Sequence, residues 1–493
     1  MFSKSNLNFT IYSLCFLIIS IGVLFRIYNI NFDAFWWDEI ISFYVADPEI
    51  SLRETLLRHN RVDSTPPTFN IILKYFYKIF GYKISVGRYL SAILGILSFI
   101  LISIISLQFK KKNSFLLLLF LSSWNLYLIS ASQEMRAYSM LIFFSTSTIF
   151  LLYKALEDGK KEKNIFYAAC FTLSQVFAIL VHPFSLILFF SVVTFLSISY
   201  LVYNKKFKYL NISCVAIFIS SLFFVFFYLS NLIEVSKEFG MDMIYPSWIQ
   251  QINLFKFLTN LYFSKFFGSR ILGLIHLIVL IFLIFKFKNR LFYSFDKRLL
   301  LLIFIFFSYF LPIVYGFLHK PILSDKYIIY VIIPILIILS NLLFKIKNSF
   351  LRKFLIFIIV IPTILNSFTE SNVKQFFEQR PVYKPDFSST FKEIQKSNNK
   401  NFLFSLKERD SKAATSILDA LDNFVVKYSK ENNFKFKHHR SLNQNLINEN
   451  SFWLICLYDV NFSCVDPEIE KRSTVSKKFI FNRINLKLLN INK

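Results

Sequence analysis

The feature that most constrains this chain is a series of unbroken apolar runs. IYSLCFLIISIGVLF (11–25), SFLLLLFLSS (114–123) and LIHLIVLIFLIF (274–285) approach the ~20 residues with which an α-helix crosses a bilayer. None alternates with period two, as the strands of a membrane barrel do. Helices and closed barrels are the two ways to satisfy every backbone group in lipid. Composition agrees: 55% of the 493 residues are hydrophobic, 64 are Phe and 9 are Gly. The expected fold class is an α-helical polytopic membrane protein. Spans are predicted at roughly 9–27, 84–108, 114–131, 138–154, 165–181, 184–203, 209–229, 271–287, 299–317, 327–345 and 353–369, about eleven transmembrane helices in all.

The net charge is +26, but its placement argues against nucleic acid. Lys and Arg gather in short connections: Lys4, 110–112, 154–163, 204–208, 286–298 and 345–353. The alternate connections (28–83, 132–137, 182–183, 230–270 and 318–326) hold the acids, Trp and His. Short basic loops face the cytoplasm, so the second set faces outside. The N-terminus is expected in the cytoplasm, the first run is read as a retained span, and the chain as a multi-pass protein of the inner (plasma) membrane. No basic stripe with stacking aromatics lies in a soluble domain, so nucleic acid is not expected as a partner. Cys15, Cys170 and Cys214 sit in apolar spans as packing residues. Cys456 and Cys464 can pair if their region is oxidising, and the sequence leaves this open.

Two regions depart from simple span-and-loop order. The first outer stretch, 28–83, is long. Within it PPTFNIILKYFYKIFG (66–81) is too short to cross and carries Lys74 and Lys78 at helical spacing, which suits a helix lying in the interface. From about residue 370 the chain turns polar. NFLFSL (401–406), a helix over roughly 409–429, FWLICLY (452–458) and KKFIFNRINLKLLNI (477–491) predict a small α/β domain of short strands around a helix. The expected organisation is therefore a membrane domain over 1–370 and a C-terminal extracytoplasmic domain over 371–493.

Ionisable groups near a membrane are costly and so informative. They collect on the outer side: Asp33, Asp38 and Glu39 in DAFWWDE, then Arg58, His59, Arg61 and Asp63, then Arg88, then Glu134, Arg136 and Tyr138 in QEMRAYS, then His182, and Lys320, Asp325, Lys326 and Tyr327. Two readings stand for WWDE, a working carboxylate or the polar rim of an interfacial helix. Neighbours on a helix point about 100° apart, so Asp38 and Glu39 do not form a simple metal pair. One can face a cavity while the other braces it. Arg136 has the forked geometry that grips phosphate. Glu134 beside it offers the plainer reading of a charged hinge.

The ordered set carries a resemblance. A first span is followed by WWDE, then D-x-x-PP before an interfacial helix, an Arg near the next span, Q-E-x-R-x-Y, and late in the bundle P-I-x-x-x-K-Y-x-x-x-x-x-P. This order resembles the GT-C superfamily of membrane glycosyltransferases. Within it the chain is most similar to the group of protein O-mannosyltransferases and aminoarabinose transferases, and the resemblance covers residues 9–370. It implies a sugar donor linked to polyprenyl phosphate, and transfer at the extracytoplasmic face to a glycan, lipid or protein. It places the family's first-loop acid on Asp38 with Glu39 beside it, the acid before the prolines on Asp63, and the second-loop arginine on Arg136. The chain departs from the family at STPP, which lacks the usual His, and at Lys326-Tyr327, where the family often has Arg-Tyr.

Transfer from such a donor needs a base and cations. A carboxylate within hydrogen-bond reach takes the acceptor's proton, a role given to Asp38 with Glu39 as orienter. Cations hold the leaving phosphate: Arg136 first, then Lys326, Arg88 or Arg61. Asp63, Glu134, Tyr138, His182 and Tyr327 complete the expected substrate site. A divalent metal on Asp38 and Asp63 is left open. The rival is a transporter or flippase of a lipid-linked saccharide. Such proteins tend to show repeated halves and broken helices at mid-membrane, whereas here no repeat stands out and the ionisable groups lie at one face.

Overall fold

The structure is a computed structural model that describes residues 4–31, 35–63, 65–109, 112–157, 161–239, 266–293, 295–369, 385–405, 412–440, 450–457 and 467–492. The membrane part is helical: α1 Lys4–Ile27, α2 Trp37–Val45, α3 Leu52–Val62, α4 Thr68–Phe80, α5 Gly87–Ile105, α6 Lys112–Ser123, α7 Leu126–Ser132, α8 Tyr138–Ala155, α9 Lys161–Val181, α10 Leu186–Leu201 and α11 Lys208–Phe239. Beyond residue 265 come α12 Arg270–Lys286, α13 Lys288–Phe292, α14 Arg298–Leu318, α15 Ile332–Leu343 and α16 Ser349–Thr369. A helix lies at each predicted span. Length and composition alone qualify 7 described helical segments to cross a membrane, or 8 if one bent pair is a single span. The count of eleven is not reached on that ground, because segments such as Ile11–Ile27 and Ile329–Leu343 are short.

The bent pair is α6–α7, which meet at 54° where the sequence predicts one straight span. The bend has named causes, as sharp kinks generally do. Asn125 caps α7 by accepting the Leu128 N–H at 2.9 Å, and its amide donates to Phe266 O at 2.8 Å. Arg26, fully buried at the end of α1, donates to Ser123 O at 3.0 Å and Ser122 O at 3.2 Å. These are carbonyls at the C-terminal end of α6, where a helix lacks its own donors and favours a cation.

A helix, α4, lies over the short stretch at 66–81, and one of its two lysines is buried. Lys74 is buried and donates to Asp47 O at 2.6 Å and Ile50 O at 2.5 Å, tying α4 to the α2–α3 connection. The outward residues include Tyr75, Ile79 and Phe80. An apolar outer face of this kind suits a helix laid in the bilayer interface.

The C-terminal part holds α17 Phe387–Lys396, β1 Asn401–Ser405, α18 Lys412–Asn432, β2 Lys437–His439, β3 Ser451–Leu457, α19 Pro467–Arg472, β4 Ser473–Phe481 and β5 Ile484–Ile491. Its sheet runs β2-β1-β3-β5-β4. Strand β1 is parallel to β2 and β3, while β5 is antiparallel to β3 and β4. The stretch 477–491 is thus a hairpin, turned at Asn482-Arg483 between the paired Phe481 and Ile484. Cys456 is disulfide-bonded; Cys464 lies outside the described residues, as does Asp33. This part docks through α18 on the first long connection. Phe424 stacks on Phe35 at 5.9 Å, Tyr82 Oη donates to Asn423 Oδ1 at 2.9 Å, and Glu431 accepts the Ile84 N–H at 2.7 Å.

Candidate active site

The site is built around α2, a helix of 9 residues that places Asp38 and Glu39 in its first turn. The two carboxylates part. Glu39 turns inward, where Arg88 grips it fork to fork, Nε to Oε1 at 2.8 Å and Nη2 to Oε2 at 2.9 Å. Glu39 also accepts the Trp36 N–H at 2.9 Å and the Met135 N–H at 3.0 Å, and Arg88 Nη1 donates to Ile30 O at 2.8 Å. Such a bidentate, hydrogen-bonded pair is the arrangement that makes a buried charge tolerable. It pins α2 to α5 and to the turn before α8. Glu39 and Arg88 are therefore engaged with each other, as braces beneath the site.

Asp38 turns the other way. Its side chain is 35% exposed, against 7% for Asp63 and 1% for Glu39. Arg136 links it to Asp63. Nη1 donates to Asp63 Oδ2 at 2.8 Å and Ser42 Oγ at 3.2 Å, and Nε stands 4.0 Å from Asp38 Oδ2. Nη2 makes no hydrogen bond among the described residues. Arg136 thus holds two acids in register and keeps one free donor edge.

Asp63 ends α3, where its Oδ1 accepts from both the backbone N–H and the hydroxyl of Thr65, each at 2.9 Å. Burial would raise this carboxyl, but Arg136, His59 and the Thr65 bonds outweigh it and bring it from an ordinary 3.8 to about 2. Burial would lower the Arg136 guanidinium, but Asp63 and Asp38 hold it well above its usual range. Burial lowers His59, so it is neutral at pH 7. Its Nε2–H then donates to Thr65 O at 2.5 Å and its Nδ1 accepts from the Asn70 amide at 3.0 Å.

A pH prediction follows from Asp63. A carboxyl lowered on folding stabilises above its unfolded pKa, and that share is lost as pH falls through the folded value. Asp63→Asn should therefore unfold at a lower temperature than the parent at pH 7, by the equivalent of roughly 2 kcal/mol. The gap should narrow between about pH 4 and pH 2. Melting curves of detergent-purified protein across that range test it, and a gap independent of pH would remove the ionised carboxyl from the account.

The remaining predicted residues sort by position. Lys326 Nζ is 3.8 Å from Glu134 Oε2 and lies over the rings of Tyr138, at 5.5 Å, and Trp36, at 5.9 Å. His182 packs on Tyr327 with ring centroids 4.9 Å apart and accepts the Phe184 N–H at 3.3 Å. Burial lowers His182 to about 4, so at neutral pH it is no cation for phosphate. Arg61 stands exposed on α3, with no hydrogen bond or ion pair among the described residues. Sequence reasoning missed Ser42, Thr65 and Asn70. Of these, Ser42 had a signal: it stands four residues after Asp38, on the same helical face.

Among the described residues no three His, Cys, Asp or Glu side chains gather to hold a metal. Asp38 and Asp63 meet through Arg136, and no step below uses a metal.

An open acid, a bridging arginine and a late lysine thus lie close together in the helical bundle. The chain shares its fold with solved membrane proteins. Residues 64–226 match the family described as dolichyl-phosphate-mannose-protein mannosyltransferase. ArnT from Cupriavidus metallidurans in the apo state superposes with a TM-score of 0.60 at 11% identity, covering 98% of each chain. The same protein bound to undecaprenyl phosphate gives 0.57 at 11% identity, covering 99% of this chain and 98% of that one. The archaeal oligosaccharyltransferase AglB from Archaeoglobus fulgidus, in complex with an inhibitory peptide and a dolichol-phosphate, gives 0.54 at 12% identity, covering 91% of this chain and 69% of that one. No curated protein sequence matches the chain.

Proposed function

We propose that this protein transfers a sugar from a polyprenyl-phosphate donor to a glycan, lipid or protein acceptor at the extracytoplasmic face of the inner membrane, with inversion at the sugar carbon. The observation that carries this reading is Asp38, the most open carboxylate of the cluster, held 4.0 Å from an arginine that is fixed to a second acid. The acceptor hydroxyl oxygen attacks the anomeric carbon while its proton passes to Asp38. The bond from that carbon to the phosphate oxygen breaks, and its electron pair leaves with the lipid phosphate. The free edge of Arg136 and the Lys326 ammonium meet the growing negative charge there. Asp63 keeps Arg136 in place, and His182 and Tyr327 line the sugar side.

The support is partial in sequence and broad in fold. The family match lies over 64–226, and the structures that superpose on nearly the whole chain include one bound to undecaprenyl phosphate. The decisive experiment compares polyprenyl-phosphate sugars and surface glycans in cells with and without the protein. One lipid-linked sugar should accumulate and one glycan, lipid or protein modification should vanish. An unchanged lipid-linked sugar pool would reject the transferase. In purified protein, Arg136→Ala should raise the donor KM by about tenfold, the worth of a charge-assisted contact. An unchanged donor KM would take Arg136 out of the phosphate site.

A further inference from the structure

The tip of the β4–β5 hairpin reaches the site from the C-terminal domain. Arg483 is exposed there, and its guanidinium carbon lies 4.6 Å from the centroid of the Trp36 ring. Trp36 is the residue before α2, two positions from Asp38. The same ring has Lys326 Nζ at 5.9 Å. Arg483 has no carboxylate partner among the described residues, whereas Lys326 has Glu134 at 3.8 Å. Two cations of different domains are thus brought to one indole.

The backbone at this tip points to a use for the side chain. Arg483 has φ 54°, in the left-handed region. A turn that needs positive φ is usually filled by Gly or Asn, which adopt it at little cost. Here a long cationic residue is kept in that conformation. The turn is also anchored, because the Asp386 N–H donates to Asn482 O at 3.1 Å. An indole face preorganises a guanidinium by cation–π contact and leaves its N–H edge free for an anion.

We propose that Arg483 and Lys326 form, on Trp36, a subsite for a phosphate group that spans the two domains, so that the C-terminal domain supplies part of the substrate site. The proposal rests on the transferase reading, in which a phosphate is present on the lipid carrier. The phosphate can belong to that carrier or to a phosphorylated acceptor, and both present the same oxygens to a guanidinium.

The test uses full-length protein in nanodiscs and labels arginines with phenylglyoxal, reading the Arg483 peptide by mass spectrometry. The probes are undecaprenyl phosphate and inorganic pyrophosphate, each added separately. One of them should lower labelling of Arg483 by about fivefold, the occupancy expected well above its Kd. Protection by undecaprenyl phosphate assigns the subsite to the carrier; protection by pyrophosphate alone assigns it to a phosphorylated acceptor. Arg483→Gly removes the guanidinium and relaxes the turn. It should weaken binding of the protecting probe by about fivefold without lowering the melting temperature. Arg483 labelling left unchanged by both probes, while undecaprenyl phosphate still binds the protein, overturns the subsite and leaves the transferase reading standing. Failure of undecaprenyl phosphate to bind at all, with neither probe protecting, overturns both.

Discussion

Asp38→Asn should abolish transfer while the protein still folds and binds its donor. Loss of a general base typically costs between about a hundredfold and ten-thousandfold, and the expected fall in kcat is about a thousandfold. The fold should persist because Asp38 carries little of it: its side chain is 35% exposed, and its one ion pair among the described residues is a 4.0 Å approach to Arg136. Donor binding should persist because the phosphate is assigned to cations on other elements. The measurement is turnover of a defined polyprenyl-phosphate sugar by purified protein, with donor affinity and melting temperature taken on the same sample. Turnover within tenfold of the parent would sink the base assignment.

The largest expected loss of stability comes from a different acid. Arg88→Leu leaves Glu39 as a carboxylate 1% exposed, with its fork-on-fork partner gone. Removing one member of a buried pair typically costs about 3–5 kcal/mol, because the other charge stays behind uncompensated. Pairing the change with Glu39→Gln should recover part of the loss, since the stranded charge is then removed as well. Thermal unfolding of the two singles and the double in one detergent reads this directly. If Arg88→Leu costs less than about 1 kcal/mol, water reaches the pair and it does not brace α2.

These two expectations differ for neighbouring residues, which shows where local sequence runs out. WWDE offers both acids equally. The helix sends them about 100° apart, but only the packing of α5 decides which one faces protein. Arg88 lies 49 positions from Glu39, and Met135, which also holds Glu39, lies 96 positions away. No local spacing encodes those distances. Arg136 shows the same limit. Its forked chemistry suggested a phosphate clamp, yet one nitrogen is spent on Asp63, 73 positions away. The role that remains for it against phosphate belongs to the other edge. Lys74, which helical spacing sets on the same short helix as the exposed Lys78, is buried, since it meets the carbonyls of Asp47 and Ile50. Arg26 stands just after an apolar run, and it holds the end of α6 at the bend.

The sequence by itself determined the helical membrane class, the position of the apolar helices, and the set of ionisable residues to consider. It could do so because the cost of exposing backbone and charge to lipid acts on each segment separately. The ordered spacing of WWDE, the paired prolines and Q-E-x-R-x-Y also carried the likeness to the GT-C fold. What only the tertiary structure decided is which partner each charge meets. It turned Asp38 outward and Glu39 inward, bent α6–α7 by 54°, and set Arg483 of the C-terminal hairpin on Trp36 at 4.6 Å. Those outcomes depend on contacts between segments far apart in the chain, where hydrogen bonds and charge pairing are settled by the packing of whole elements.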